Sequence, residues 1–202
     1  MIIKNKYATF IGHKYHGKFY VDVQKWTAPD APATNKVLSA TALKTAVQTI
    51  TTGITNPDFP RVLSVTGNSS NVAGKVTITG TNIRGKVITE EITLNGSATV
   101  AGTKAFRTVT SIQLPVYSVA GTETVSVGIT NKLGLQSIPL STSVIEEVSG
   151  NADDTGGTVL TRDADEIEKC LYNPTTECDA TDDKVIAYLS EETDSKISSY
   201  TE

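Results

Sequence analysis

The sequence predicts an all-β fold, an antiparallel β-sandwich (Ig-like or related), carrying an extended N-terminal arm. Three observations carry that expectation. Between residues 57 and 115, four short runs rich in Val, Ile and Thr are separated by Gly and Asn, residues that tolerate the positive φ of turns. Val76 and Ile78 share one face with Thr77 and Thr79 on the other, and Val125, Val127 and Ile129 repeat the period of two. Such alternation marks half-buried strands, and the spacing of the runs suits a sandwich. Finally, 38% hydrophobic and 20% charged residues suffice for a core, while only 6% aromatics make it aliphatic, with threonine at its edges.

Taken in order, residues 1–36 form a basic and aromatic arm with its linker. Five lysines precede Thr27, with Asp22 the only acid. Phe19, Val21 and Val23 alternate with Tyr20, Asp22 and Gln24 as in a strand. The prolines of Ala28–Ala33 disfavour helix and extend the chain. Tyr15, Phe19, Tyr20 and Trp26 are the candidate anchoring contacts, because aromatic rings offer large apolar area. Residues 37–150 are expected to form the sandwich. A strand is expected over about 46–54, since Thr49-Ile50-Thr51-Thr52 is poor for a helix. Further strands follow the four central runs, and another runs through residues 123–130. Glu90 shares the parity of Ile88 and Ile92, so a bulge or exposed edge is expected at Glu90-Glu91. Lys132–Leu140 reads as an apolar closing loop and Ser143–Val148 as a strand. Residues 151–202 form an acidic segment packed on the same sandwich. It holds a strand-like Thr158–Thr161, a helical turn or two within Asp163–Cys170, a strand at Lys184–Leu189, and a frayed tail after about 190.

Charge divides the chain. Residues 1–145 carry a net +8 and residues 146–202 a net −12, an asymmetry that suggests surfaces with different tasks. The opening Met1–Tyr7 has lysines but no apolar run behind it, so no secretory signal is expected and synthesis is assigned to a cytoplasm. No run of about 18 apolar residues suggests a membrane span. Cys170 and Cys178 are close enough in sequence to close a disulfide loop, but two reduced thiols are favoured in a cytosolic chain.

Chemistry-bearing patterns are weighed against plainer readings. Gly80-Thr-Asn-Ile-Arg-Gly85-Lys86 fits seven positions of a P-loop, but Val87 stands where a Mg²⁺-binding hydroxyl belongs and strand alternation follows, so a hairpin is expected. His13 and His16 are the only histidines, too few for a catalytic zinc site. Asp163, Asp165, Glu166 and Glu168 lack the central Gly of a twelve-residue calcium loop and read as a solvated acidic face. No G-x-S-x-G elbow occurs, and the −12 segment opposes nucleic acid. The chain reads as a non-enzyme without cofactor or metal.

The pieces Val47–Arg61 (containing Asn56-Pro-Asp-Phe-Pro-Arg61), Val76–Asn82, Glu90–Gly96, Lys104–Thr110 and Val127–Leu135 resemble a group of tailed-bacteriophage virion proteins, the minor structural or capsid decoration proteins. The segment Gly150–Glu202 departs from the group's pattern, and no functional residue carries over. The resemblance implies a structural protein on the outer capsid surface, partnered by the major capsid protein or other virion proteins. It implies a homo-oligomer on the particle, with neither nucleic acid nor membrane as partner, in a virion assembled in the bacterial cytoplasm. A neck or tail component is the alternative within the virion. A β-sandwich adhesion or carbohydrate-binding module is the alternative outside it, disfavoured because residues 53–150 contain only Phe59, Phe106 and Tyr117 as aromatics.

Overall fold

The structure is a computed structural model that describes residues 20–119, 121–154 and 159–190. It is all-β: the described residues form fourteen strands and one helical element, a 3-10 turn at Ile167–Lys169. The strands are β1 (Tyr20–Trp26), β2 (Ala33–Ala42), β3 (Gln48–Ile50), β4 (Arg61–Gly67), β5 (Lys75–Thr81), β6 (Val87–Thr93) and β7 (Thr99–Phe106), then β8 (Thr108–Leu114), β9 (Thr124–Gly134), β10 (Glu146–Ser149), β11 (Ala152–Asp153), β12 (Val159–Thr161), β13 (Leu171–Asn173) and β14 (Lys184–Ser190). Three sheets result, with every strand pair antiparallel. The first has the order β12-β13-β9-β4-β7, with β2 also on β9; the second is β3-β8-β5-β6; the third is β1-β14-β10-β11.

The first two sheets enclose an aliphatic core. Val76 and Ile78 of β5, Ile88 and Ile92 of β6, and Ile112 and Leu114 of β8 meet Leu63 and Val65 of β4 and Val125, Val127 and Ile129 of β9. Thr77, Thr79 and Thr81 alternate outward along β5, as the period of two requires. Gly128 lets β2 cross β9 closely, since a Cβ there would lie 1.9 Å from the Ala33 carbonyl oxygen. A second core lies under the third sheet. It joins Trp26 of β1, Leu133 of β9, Leu160, Tyr172, and Ile186 and Tyr188 of β14, with Cys170 and Cys178. The long β9 therefore supplies side chains to both cores.

Four expectations need correction. First, the described part of the arm is not free. β1 pairs along its whole length with β14, from Tyr20↔Ser190 to Trp26↔Lys184, and β2 belongs to the sandwich's first sheet. The linker is also held: the Ala28 N–H donates to Asp183 Oδ1 at 3.0 Å, and the Pro29 carbonyl accepts from the Ala180 N–H. Second, β10, placed by sequence inside the sandwich segment, pairs with β14 in the third sheet. Third, the closing loop starts later than expected, because β9 runs to Gly134 and buries Leu133.

Fourth, of the two alternatives at Glu90-Glu91 the bulge is absent, for the register of β6 with β5 is unbroken, whereas β6 is the terminal strand of the second sheet, as the edge alternative had it. The irregularity sits instead in β7, where Val62↔Ala105 is followed by Ser64↔Ala101. Glu90 explains it. Its Oε1 accepts from the Thr103 N–H at 2.5 Å and the Thr103 hydroxyl at 2.8 Å. Gly102 leaves room for that carboxylate, since a Cβ would fall 2.5 Å from Glu90 Oε2. A buried carboxylate needs donors, and the bulged strand supplies them.

Candidate interaction surface and its supporting clasp

The segment Asn56–Arg61, the most specific motif in the chain, folds into an internal clasp. Arg61 opens β4 and is fully buried. Its Nε donates to the Thr130 carbonyl at 3.1 Å, and its Nη1 donates to the Asp30 carbonyl at 2.6 Å and to Asp58 Oδ1 at 3.1 Å. Asp58 Oδ2 accepts from the Asp30 N–H at 2.7 Å, and Asn56 Oδ1 accepts from the Val109 N–H at 2.8 Å. The motif thus ties the turn before β2, the start of β4, the middle of β9 and the start of β8 together. Buried cations require such pairing. Arg61 Nη2 and the Trp26 Nε1 are buried without a hydrogen-bond partner.

Beside the clasp runs a groove of about 450 Å³. Four consecutive β1 residues, Val23 to Trp26, line it, and the rest of the lining includes Pro57 to Pro60, Ile83 and Arg107. Val23 is 48% exposed. The Gln24 side chain fastens β1 to the end of β9, its Nε2 donating to the Gly134 carbonyl and its Oε1 accepting from the Gln136 N–H. Lys25 pairs with Asp183 at 2.5 Å, and the Lys25 ammonium with the Ala28 N–H holds the Asp183 carboxyl below its usual range.

Of the four candidate anchors, Tyr15 and Phe19 lie outside the described residues, and Tyr20 is placed by its backbone in β1. Trp26 is not an outward anchor. It is 1% exposed and stacks on Tyr172 with ring centroids 5.1 Å apart and planes 15° apart. Its parity in β1 is that of Gln24, which faces the second core, so the ring is committed inside the chain. Phe59 was noted only within the Asn56–Arg61 motif and as one of three aromatics of residues 53–150, and Arg107 only within the piece Lys104–Thr110. Neither pattern announces a groove, because its lining comes from separate segments at Val23–Trp26, Pro57–Pro60, Ile83, Arg107 and Gln136.

The second core contains polar pairs. The Tyr172 hydroxyl donates to Glu147 Oε1 at 2.5 Å, with the Thr175 N–H also reaching that oxygen. Burial pushes the Glu147 carboxyl up, and burial with that hydrogen bond pushes the Tyr172 phenol far above its ordinary value. The Tyr188 hydroxyl shares a hydrogen bond with Ser137 at 2.9 Å and is pushed up to about 12, chiefly by burial. Ser137 also donates to Asp22. Lys184 Nζ donates to Ser149 Oγ at 2.5 Å. Such a Ser–Lys pair is a nucleophile and base in form, but the two residues face each other across the β10–β14 ladder, 8% and 0% exposed. Both are buried in the ladder, whereas a nucleophile must be reached to act. Cys170 and Cys178 are free, buried thiols, each pushed up by burial.

The acidic run also has structural work. Asp163 Oδ1 accepts from the Asp165 and Glu166 N–H groups at the start of the 3-10 turn. Glu166 pairs with Lys169 and with Lys104, and buried Glu168 accepts from Asn82 Nδ2 at 3.0 Å. The P-loop-like stretch is a hairpin tip: Asn82 Oδ1 accepts from the Arg84 and Lys86 N–H groups. Among the described residues no three His, Cys, Asp or Glu gather as metal ligands, and no helix is long and apolar enough to cross a membrane. No family model, curated protein or solved structure matches the chain.

Proposed function

We propose that the chain is a non-enzymatic structural protein of a tailed-phage virion, bound to the outer capsid surface as a decoration protein. One observation carries the reading. The residues that bear the family resemblance, Asn56, Asp58 and Arg61, are spent on an internal clasp. A motif used this way preserves a shape, which is what a lattice-binding protein needs. The division of charge, +8 before Glu146 and −12 from it onward, supports an oriented molecule with a basic side toward the particle. Its partners are the major capsid protein or other virion proteins, and copies of itself. Quantitative mass spectrometry of purified particles tests this. Many copies per particle are expected; a single ring's worth points to the neck or tail, and absence overturns the virion assignment.

A second reading, an adhesion or carbohydrate-binding module, gains one observation. The fold brings Phe59 to one groove with Gln24, Gln136 and Arg107, from distant parts of the sequence. An apolar ring beside a few planar polar groups suits a small-molecule site. Glycan-array binding lost on Phe59→Ala supports this second reading, and an array without signal removes it.

A further inference from the structure

The groove beside the clasp carries one charge that no other described residue balances. Three charged side chains line it, Lys25, Asp58 and Arg107. Lys25 is paired with Asp183, and Asp58 with Arg61. Arg107 has no carboxylate partner among the described residues. The one hydrogen bond its guanidinium makes there, from Nη1 to the Ile83 carbonyl, is long at 3.4 Å. A guanidinium offers five N–H donors in a planar fork, so most of this one's donors meet no acceptor among the described residues. Its place is set by the backbone: Arg107 lies in the turn between β7 and β8, where its N–H donates to the Thr81 carbonyl at 2.8 Å. Beside the charge the groove is apolar. Phe59 and Ile83 line it, pack against the second core and stay partly exposed. The Gln24 amide is spent on Gly134 and Gln136. Gln136, by contrast, is exposed, and its side-chain amide makes no hydrogen bond among the described residues.

We propose that this groove binds a sugar acid. The Arg107 guanidinium takes the carboxylate of a uronic acid residue, Phe59 packs against the C–H face of the sugar ring, and the Gln136 amide meets its hydroxyls. A carboxylate matches one guanidinium in charge and in the geometry of two parallel hydrogen bonds. A phosphate ester carries about −1.5 to −2 at pH 7, more than a single unbalanced cation offsets. The apolar surface beside the cation gives a ring-bearing anion an advantage over a bare inorganic one, since only the former buries it. An amide supplies both donors and an acceptor, as hydroxyls require. The volume of about 450 Å³ falls within the range of ligand pockets, about 300–1,000 Å³. This assignment rests on the second reading, the carbohydrate-binding module, and names its ligand class; it holds whether or not the molecule sits on a particle.

Isothermal titration of the full chain tests it, with trigalacturonate and a hyaluronan tetrasaccharide as probes, each set against its carboxyl-reduced form. Carboxyl reduction is expected to lower affinity at least about tenfold, and Arg107→Gln to do the same. In Arg107→Gln the acidic and reduced sugars should bind alike, because the two changes remove one contact. Arg107→Lys keeps the charge, loses the fork and should fall between. Lys132→Gln removes an exposed cation outside the groove and should change affinity less than about twofold. The urea midpoint of Arg107→Gln should match wild type, since the residue is exposed. Equal binding of acidic and reduced sugars by the wild type overturns the sugar acid and leaves the carbohydrate reading standing. Binding of neither probe overturns it as well, and the glycan array then decides the carbohydrate reading separately. An acidic peptide that binds as tightly, with the same dependence on Arg107, overturns a sugar as the occupant.

Discussion

Removing the Arg61 guanidinium while keeping its aliphatic bulk, as in Arg61→Met, tests whether the Asn56–Arg61 clasp holds the fold together. Arg61 is fully buried, and its charge is shared among the Thr130 carbonyl, the Asp30 carbonyl and Asp58. Breaking a buried ion pair from one side costs about 3–5 kcal/mol. The Asp58 side chain is 19% exposed and keeps the Asp30 N–H as a donor, which places the loss near the lower end, about 3 kcal/mol. Arg61→Ala also removes two buried methylenes, about 0.8 kcal/mol each before any cavity cost, and should lose about 5 kcal/mol. Urea unfolding followed through Trp26, the only tryptophan, reads the effect. With a slope of about 2 kcal/mol/M, Arg61→Met lowers the midpoint by about 1.5 M. A double-mutant cycle with Asp58→Ala should give a coupling of at least about 1.5 kcal/mol. A loss below about 1 kcal/mol for Arg61→Met, or no coupling, would refute the clasp as a stabilising device.

Other perturbations probe separate features. Because burial raises the Glu147 carboxyl above its ordinary value of 4.5, its contribution is fully present below that value and is lost as pH rises through the folded pKa. Glu147→Gln should therefore be more stable than wild type at pH 8 and converge with it near pH 4, read as the difference in urea midpoint; the opposite trend removes the assignment. Asp183, held low by Lys25 and the Ala28 N–H, contributes stability above the ordinary carboxylate range that is lost as pH falls. The wild-type advantage over Asp183→Asn should accordingly shrink in acid. Both thiols should resist a thiol reagent in the native protein at pH 7.5 and react after unfolding, as burial raises each; a fast native thiol contradicts their placement. Trp26→Ala should cost about 3–5 kcal/mol by opening a void against Tyr172, whereas an anchor facing solvent would cost almost nothing to stability.

Local pattern made part of this fold legible. β5 and β6 follow from strict alternation around a Gly-rich turn, and the hairpin displaced the P-loop reading without help from structure. β7 was read only at its end, since the bulge that accommodates Glu90 interrupts its period at Gly102–Lys104. The second core could not be read, because Trp26, Leu133, Tyr172 and Tyr188 come from four distant segments and none signals the others. The charge asymmetry was legible, but its partition was not: Asp183 turns to Lys25 and Glu168 to Asn82 inside one chain. For the candidate surface, sequence pointed to Asn56–Arg61 without revealing that its polar side chains face inward. Trp26 was misplaced because an aromatic residue ahead of a proline linker looks like a tether until its partner strand is known.

The pairing of β1 with β14 also has a consequence in time. About 160 residues of chain separate Trp26 from Lys184, its partner. A ribosome adding about 5–20 residues per second needs roughly 8–30 s to span that distance. Within that interval the sandwich can close around β4, β5, β8 and β9, while the nascent β1 waits without β14 and its tryptophan without Tyr172. Newly made copies on one polysome thus present identical unpaired strands to one another, and the yield of correctly closed molecules is expected to fall as expression becomes faster or more crowded.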